Sequence, residues 1–196
     1  SAVGGITIAM HPILARYAEN HKQQFDDSRN WGRWTNMTLR GKEKIVIIAA
    51  YGPKGHSSGT DTTDNLMWAF QTSQMGTVPQ AERQKNARYQ FMCDLGECIK
   101  KAKMAGYSIV LTGDMNVAIN KNSHESAFWR DTMSTYDMRN VMADIWPTLG
   151  GIHTFPTNKT WIDHIWVDTD TMKRGAIKKV GIDNGRADYT SDHLMI

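Results

Sequence analysis

The chain contains 196 residues, of which 40% are hydrophobic, 9% aromatic and 22% charged. This length suits a single globular domain over residues 1–196, and the seven Trp and twelve Met exclude a disordered chain. No apolar run approaches the roughly 20 residues that cross a bilayer, and no charged segment followed by a long apolar stretch opens the sequence. We therefore expect an intracellular protein with no membrane partner, and the formal net charge of +3 permits a polyanionic partner.

Predicted strands and helices alternate along the chain. A β-branched strand at 5–10 comes first, followed by a strand at 44–51 that is apolar on both faces, as is typical of a central strand. A long polar connection over 52–80 precedes a helix at 81–105, which Gly106 ends. A strand at 108–112 and a helical region at 125–145 follow; Ser123 caps that region, which breaks near Thr135. Strands at 160–167 and, more weakly, at 176–182 complete a layered α/β or α+β pattern.

The two cysteines, Cys93 and Cys98, lie five residues apart in the predicted helix. A five-residue step points them away from each other, so we expect free thiols rather than a disulfide. With no CxxC or HExxH pattern in the sequence, they predict no zinc site.

Polar residues follow two of the predicted buried strands. Asp114 and Asn116 come directly after the strand at 108–112, and they would share one face if that strand continued. A carboxylate beside an amide can hold a metal, orient a water or contact a phosphate, and a plain Asp/Gly turn is the alternative. At the end of the strand at 44–51, Tyr51 or Lys54 could reach a phosphate; the alternative is a Pro turn with an incidental Tyr.

Two further candidates lie nearer the C-terminus. Asp163 is flanked by large apolar residues, and an unsatisfied polar group there costs about 2–7 kcal/mol, so we expect it to be paired rather than on a solvent-facing edge strand. In the SDH run at 191–193, a histidine that titrates near neutral pH suits phosphate contact when a carboxylate holds its other nitrogen. Adjacent residues of a strand point to opposite faces, so Asp192 and His193 share a site only within a loop. An ordinary surface loop is the alternative.

In this order the motifs resemble the endonuclease/exonuclease/phosphatase superfamily, the DNase I-like group that includes AP endonucleases and the endonucleases of non-LTR retroelements. The resemblance runs from about residue 4 to the last residue, and it rests on YGP at 51–53, GDMN at 113–116, a helix at 138–146, HTF at 153–155, WIDHI at 161–165 and SDH at 191–193. It implies a four-layer sandwich of two mixed β-sheets with helices on the outer faces.

The resemblance implies roles for the residues that follow the two central strands. Asp114 resembles the residue that activates the attacking water, and Asn116 resembles its partner at the phosphate and water. Tyr51 is similar to a phosphate-contacting tyrosine, whereas Lys54 stays a phosphate-binding candidate on its position after the strand alone.

Other roles are implied for the later motifs. His193 resembles the histidine that binds the scissile phosphate, Asp163 the carboxylate that orients it, and Asp192 an acid of a Mg²⁺ (or Mn²⁺) site. The implied function is metal-dependent hydrolysis of phosphodiester bonds in nucleic acid, with DNA preferred over RNA. We expect selectivity to come from 52–80 and from the hairpin at 154–161.

The sequence departs from the superfamily pattern near its start. The metal-binding glutamate of the superfamily ends a strand that would precede residues 5–10, whereas the first acid here is Glu19. We therefore expect the fold to lack its N-terminal strands and to need an upstream segment or a separate chain that completes the sheet and brings the glutamate. Lys54 also replaces an Asn that often follows the Tyr-x-Pro motif, and an Arg often seen before the Ile-Asp-x-Ile motif is absent.

Two other functions stay open. A phosphomonoesterase for lipid or inositol phosphates would use the same fold, although the sequence around Asp163 lacks the Cys and Arg of the inositol phosphatases. A non-catalytic nuclease-like module in a larger assembly would account for the missing glutamate, but it would have no need of so many polar groups directed at one point.

Overall fold

The computed structural model describes residues 6–19, 23–54, 70, 73–77, 87–145, 153–155 and 159–182. Within them, one mixed sheet contains the strands β1 (Trp34–Arg40), β2 (Lys44–Tyr51), β3 (Ser108–Asp114), β4 (Met138–Asn140) and β5 (Asp163–Asp168). The helices are α1 (Pro12–Ala15), α2 (Ala87–Met104), α3 (His124–Thr135), α4 (Val141–Ile145) and α5 (Thr169–Lys173), with 3₁₀ turns at Gln23–Phe25 and Met75–Thr77. None of the helices in this part of the chain is long and apolar enough to span a bilayer.

The strand order of the sheet is β1-β2-β3-β5-β4. β1 and β2 form an antiparallel pair, β2 and β3 run parallel, and β5 runs antiparallel to both β3 and β4. A parallel pair needs a long crossover connection, and α2 lies in the connection between β2 and β3. β2 and β3 therefore end at one edge of the sheet, which is also where β5 begins.

The hydrophobic core lies between the sheet and α2. One apolar face of α2 is fully buried against side chains that alternate along β2 and β3, namely Phe91, Leu95 and Ile99 against Val46, Ile48, Ile109 and Leu111. Apolar residues at steps of three and four give α2 this face, and Gly106 follows its end with a φ of +76°. The helix predicted at 81–105 is confirmed over its described part, and both cysteines on it are free thiols, as predicted.

The opposite face of the sheet is also apolar. Ile47 of β2, Val110 of β3 and Ile165 of β5 point away from α2 and are half-buried. A sheet that is apolar on both faces is one that is covered by two layers. The α/β class with a mixed sheet is thus confirmed, while the second sheet and the missing N-terminal strands stay predictions.

The strands at 44–51 and 108–112 are confirmed, and the latter extends to Asp114. The strand predicted at 160–167 is confirmed over 163–167 and continues to Asp168; just before it, the N–H groups of Ile162 and Asp163 donate to the hydroxyl of Thr154. The predictions at 5–10 and 176–182 are wrong for residues 6–10 and 176–182, which pair with no strand of the described chain and have no regular structure. A β-strand forms only where its backbone hydrogen-bonds to a neighbouring strand. An apolar run in the sequence does not by itself supply that neighbour.

The helical region at 125–145 is broken as predicted. α3 ends at Thr135 and α4 covers Val141–Ile145, but the break contains the short strand β4, which the sequence did not predict. Ser123 caps α3 by accepting a hydrogen bond from the backbone of Ser126 at 3.1 Å.

Candidate active site

Tyr51, Asp114 and Asp163 lie next to one another across three neighbouring strands. Tyr51 of β2 is the register partner of Asp114 of β3, which is in turn the register partner of Asp163 of β5. Neighbouring strands are about 4.8 Å apart and paired residues point to the same face, so a phenol and two carboxylates share one face of the sheet edge. We call these three residues the strand-end row.

Asn116 joins this row through a turn rather than through a continued strand. β3 ends at Asp114, and Asn116 has a φ of +52°, a left-handed conformation that Asn tolerates better than most residues. Its backbone N–H donates to Asp114 Oδ1 at 2.7 Å, and its side-chain amide donates to the carbonyl of Gly52 at 2.8 Å. The predicted i, i+2 arrangement along a strand is therefore wrong, but the side chains of Asp114 and Asn116 still meet.

Two glycines allow the ends of β2 and β3 to approach this closely. A Cβ on Gly52 would overlap the carbonyl group of Met115, and a Cβ on Gly113, at a φ of +133°, would overlap the carbonyl oxygen of Ala50. The backbone N–H of Gly52 donates to the carbonyl of Asp114 at 2.8 Å, which extends the contact beyond the strands. The glycines beside Tyr51 and Asp114 are thus required by close backbone packing.

The HTF run positions Asp163. The hydroxyl of Thr154 is fully buried and accepts hydrogen bonds from the backbone N–H groups of Ile162 at 3.1 Å and Asp163 at 3.0 Å. The indole of Trp161 donates to the carbonyl of Asp163 at 2.8 Å. The start of β5 is therefore held on both sides by side chains from the hairpin that the sequence singled out.

His164 is a buried residue of the site that the sequence analysis missed. Its Nε2 lies 2.9 Å from the carbonyl oxygen of Val117, and its ring packs between Trp161 and Trp166 at 5.8 and 6.2 Å between ring centres. Burial lowers the pKa of His164 from 6.5 to about 4, so the ring is neutral at physiological pH. The sequence offered one signal for it. His164 directly follows Asp163, and adjacent residues of a strand point to opposite faces, so a site-facing Asp163 places His164 on the other face of β5.

Arg88 is a second residue that the sequence did not single out. It lies in the first turn of α2, and its Nε donates to the carbonyl of Pro53 at 3.1 Å while its Nη1 pairs with Glu125 of α3. The turn after β2, which carries the half-buried Lys54, is thereby tied to the start of α3.

The structure brings Tyr51, Asp114, Asn116 and Asp163 together and places Lys54 three residues after Tyr51. Asp192 and His193 lie outside the described residues. Within the described ranges, no group of three or more acidic, His or Cys side chains is arranged to hold a metal ion.

No protein-family model matches the chain, and no curated protein matches it in sequence. Among solved structures it is similar to the endonuclease domain of TRAS1, a telomere-specific non-LTR retrotransposon, with 13% identity over 90% of this chain and 64% of that one and a TM-score of 0.54. It is also similar to the 3′ phosphatase NExo from Neisseria bound to a product DNA hairpin, with 18% identity over 84% and 63% of the two chains and a TM-score of 0.57.

An AP endonuclease from Archaeoglobus fulgidus has 16% identity over 90% of this chain and 67% of its own, with a TM-score of 0.56. The chain thus spans a little under two thirds of the length of the TRAS1 endonuclease domain and of NExo. These likenesses establish the DNase I-like fold, and they confirm the predicted resemblance at the level of the fold.

Proposed function

We propose that this DNase I-like chain is a nuclease domain that hydrolyses phosphodiester bonds in nucleic acid, with DNA preferred over RNA, and that residues 1–196 form one domain. The observation that carries the proposal is the strand-end row, with Asn116 hydrogen-bonded to Asp114 at its centre. The structures with similar folds include an endonuclease domain and a phosphatase bound to a DNA product.

In the proposed reaction, Asp114 takes a proton from the attacking water as the new O–P bond forms and the bond to the leaving oxygen breaks. The two donors of Asn116 hold the Asp114 carboxylate in a fixed orientation. Tyr51 and Lys54 bind the phosphate through a hydroxyl and an ammonium group. His193 stabilises the charge that grows on the phosphorane, with Asp163 orienting its ring.

A divalent cation suits the chemistry of these donors. Mg²⁺ prefers oxygen ligands, and it is often held by one or two carboxylates together with substrate phosphates and water. Asp192 is the proposed carboxylate ligand of the ion, while Asp114 and Asp163, which are register neighbours, act on the water and on His193. When bound, Mg²⁺ or Mn²⁺ would neutralise charge on the phosphate.

We further infer that another segment, from the same polypeptide or from a separate chain, covers the second face of the sheet and brings the metal-binding glutamate. The half-buried apolar side chains of Ile47, Val110 and Ile165 on that face support this inference. Without the glutamate, the ion would keep more water and a less fixed position, so activity should rise when the segment is supplied.

A 3′-phosphatase activity at the same site is the second candidate, and the similarity to NExo favours it. The same groups would then act on a terminal phosphate monoester instead of an internal phosphodiester. The choice of substrate distinguishes the nuclease from the 3′-phosphatase activity, because only a nuclease shortens a DNA strand that ends in a 3′-hydroxyl.

The test is hydrolysis of intact, abasic and 3′-phosphorylated DNA in Mg²⁺, with and without the upstream segment. Asp114→Asn should abolish turnover, whereas Asp131→Asn, which changes an exposed carboxylate of α3, should not. EDTA should stop the reaction, and binding should weaken as salt rises because phosphate contacts release counterions. Full turnover by Asp114→Asn would reject the proposed function.

A further inference from the structure

Side chains from two different elements hold the segment that follows β2. The side-chain amide of Asn116, in the turn after β3, donates to the carbonyl of Gly52 at 2.8 Å and to Asp114 Oδ2 at 3.3 Å. The Nε of Arg88, on α2, donates to the carbonyl of the next residue, Pro53, at 3.1 Å. Two successive carbonyls are therefore bound, one by a residue of the candidate site and the other by Arg88.

Arg88 is held in turn by α3. Its Nη1 pairs with Glu125 in the first turn of that helix. The start of α3 is itself anchored close to Asn116, because the buried hydroxyl of Ser126 donates to the carbonyl of Ala118 at 2.7 Å. Arg88 thus closes a ring of contacts that runs from the segment after β2, through α2 and α3, to the segment after β3.

The contact of Arg88 with Pro53 suits an arginine. Pro53 is buried and has no N–H, so its carbonyl is the only backbone group through which it hydrogen-bonds. A guanidinium presents its donors in a rigid fork, so Arg88 binds this carbonyl and Glu125 at once, whereas a lysine offers a point charge on a flexible stem. The side chain of Arg88 is only 11% exposed, so solvent screens these contacts little.

We propose that Arg88 is a positioning residue for Asp114, the general base of the proposed reaction. The effect passes through the backbone of residues 52–53 to the amide of Asn116, and from there to the Asp114 carboxylate. This inference rests on the proposed function. When the Pro53 carbonyl loses its partner, the Gly52 carbonyl beside it becomes less fixed, and so does the amide that orients Asp114. Small displacements of this kind are costly, since a 1 Å misplacement can slow a reaction about 100-fold.

The experiment compares Arg88→Lys in the wild-type background and in the Asn116→Gly background. It measures the rate constant of single-turnover DNA hydrolysis in Mg²⁺ with enzyme in excess, which also detects slow variants. Arg88→Lys keeps a charge beside Glu125 but loses the rigid fork, so it should slow hydrolysis by about 10- to 100-fold in the wild-type background. Asn116→Gly removes the amide and suits the φ of +52° at this position. In that background, Arg88→Lys should leave the rate almost unchanged.

A role in stability alone would give a different pattern. Urea unfolding should show that Arg88→Lys lowers the free energy of unfolding by similar amounts in the two backgrounds, although its effect on the rate differs between them. Glu125→Ala is a second variant, which changes a partly exposed residue. It should slow hydrolysis less than Arg88→Lys, because the bond to Pro53 remains, and again only where Asn116 is present.

Arg130→Lys is the matched control. Arg130 is exposed on α3, and its Nη1 donates to the carbonyl of Ile119 at 2.8 Å, so it also ties a helix to a strand-end segment. This contact does not involve residues 52–53. The variant should therefore hydrolyse DNA at the wild-type rate.

An equal loss of rate from Arg88→Lys in both backgrounds would overturn the inference, as would full activity of Arg88→Lys in the wild-type background. An equal loss in Arg130→Lys would overturn it too, because any tie between a helix and a strand-end segment would then have the same effect. Failure of the proposed function is separate, since it would appear as hydrolysis that is absent in wild type or unaffected by Asp114→Asn.

Discussion

The buried imidazole of His164 lies 2.9 Å from the carbonyl oxygen of Val117, one residue beyond Asn116. Because a carbonyl oxygen only accepts, Nε2 carries the proton and donates it to this bond. Nδ1 is then unprotonated, and within the described residues it is buried without a hydrogen-bond partner. His164 thus connects β5 to the turn that carries Asn116, and only its neutral form fits the site.

This contact predicts a loss of stability in mild acid. Protonation would put a charge on buried Nδ1, so the pKa of His164 falls from 6.5 in the unfolded chain to about 4 in the folded one. Between these values the unfolded chain binds more protons, so stability is complete above pH 6.5 and falls as the pH drops towards 4. The loss should reach about 2–3 kcal/mol near pH 4.5.

Urea unfolding of wild type and His164→Gln at several pH values measures this effect. The glutamine keeps an N–H donor but does not titrate, so the difference in the free energy of unfolding between the two proteins should change with pH by the amount above. His124→Gln, which replaces an exposed histidine at the start of α3, is the control and should follow wild type. A pH-independent difference between wild type and His164→Gln would contradict the prediction.

Two ion pairs of similar geometry should contribute differently to the free energy of unfolding, because one pair is buried and the other is exposed. Arg33 binds Asp27 at 2.6 and 2.9 Å with side-chain exposures of 0% and 4%. Arg139 binds Asp144 at 2.6 and 3.0 Å with exposures of 54% and 24%. Asp27→Asn would leave the fully buried Arg33 paired with Asp94 alone and would weaken the bonds that Asp27 accepts from the backbone, so it should lower the free energy of unfolding by about 3–5 kcal/mol.

The same change at the exposed pair should cost little. We expect Asp144→Asn to lower the free energy of unfolding by no more than about 1 kcal/mol, because water already screens its partner. Chemical denaturation of both variants checks the contrast. Similar losses in the two variants would mean that burial does not set the energy of these pairs.

The close approach of β2 and β3 predicts that Gly113 cannot be replaced. Its φ of +133° is unfavourable for any side chain, and a Cβ would overlap the carbonyl oxygen of Ala50. Gly113→Ala should therefore lower the free energy of unfolding by about 1–3 kcal/mol or more, the usual cost of overpacking. Gly41→Ala is the control, since a Cβ there meets no atom within 4 Å. A Gly113→Ala variant as stable as Gly41→Ala would contradict this account.

The parts of the fold that the sequence predicted are those with an apolar pattern of their own. β2 and β3 were predictable because apolar side chains fill both faces of the strands. β1 was missed because its buried positions include Asn36 and Thr38, and the partner of Asn36 is Asp26 in another segment, at 2.7 Å. A buried polar residue gains its partner only from the tertiary fold, so no local pattern indicates it.

The candidate site was likewise predicted only in part. Strand-end polar residues were predicted because β2 and β3 end in recognisable motifs, and the structure places Tyr51, Asp114 and Asp163 in register. The ion pairs of Arg29 and Arg33 with Asp94 were missed because Asp94 lies far along the chain on α2. Long-range ion pairs of this kind leave no periodicity for a sequence to reveal.

The last prediction concerns Thr154, whose hydroxyl accepts hydrogen bonds from the backbone N–H groups of Ile162 and Asp163 at 3.1 and 3.0 Å. Thr154→Val keeps the shape of the side chain but leaves these donors unpaired in a buried place, which costs about 1–3 kcal/mol of stability. It should also lower kcat of the proposed reaction, because Asp163 loses the contact that fixes its backbone. Thr154→Ser keeps the hydroxyl and should retain most of the stability and the activity. Unfolding in urea and steady-state hydrolysis of DNA in Mg²⁺ check the two effects separately. If Thr154→Val lost stability but kept full kcat, Thr154 would support the fold alone and would not position Asp163.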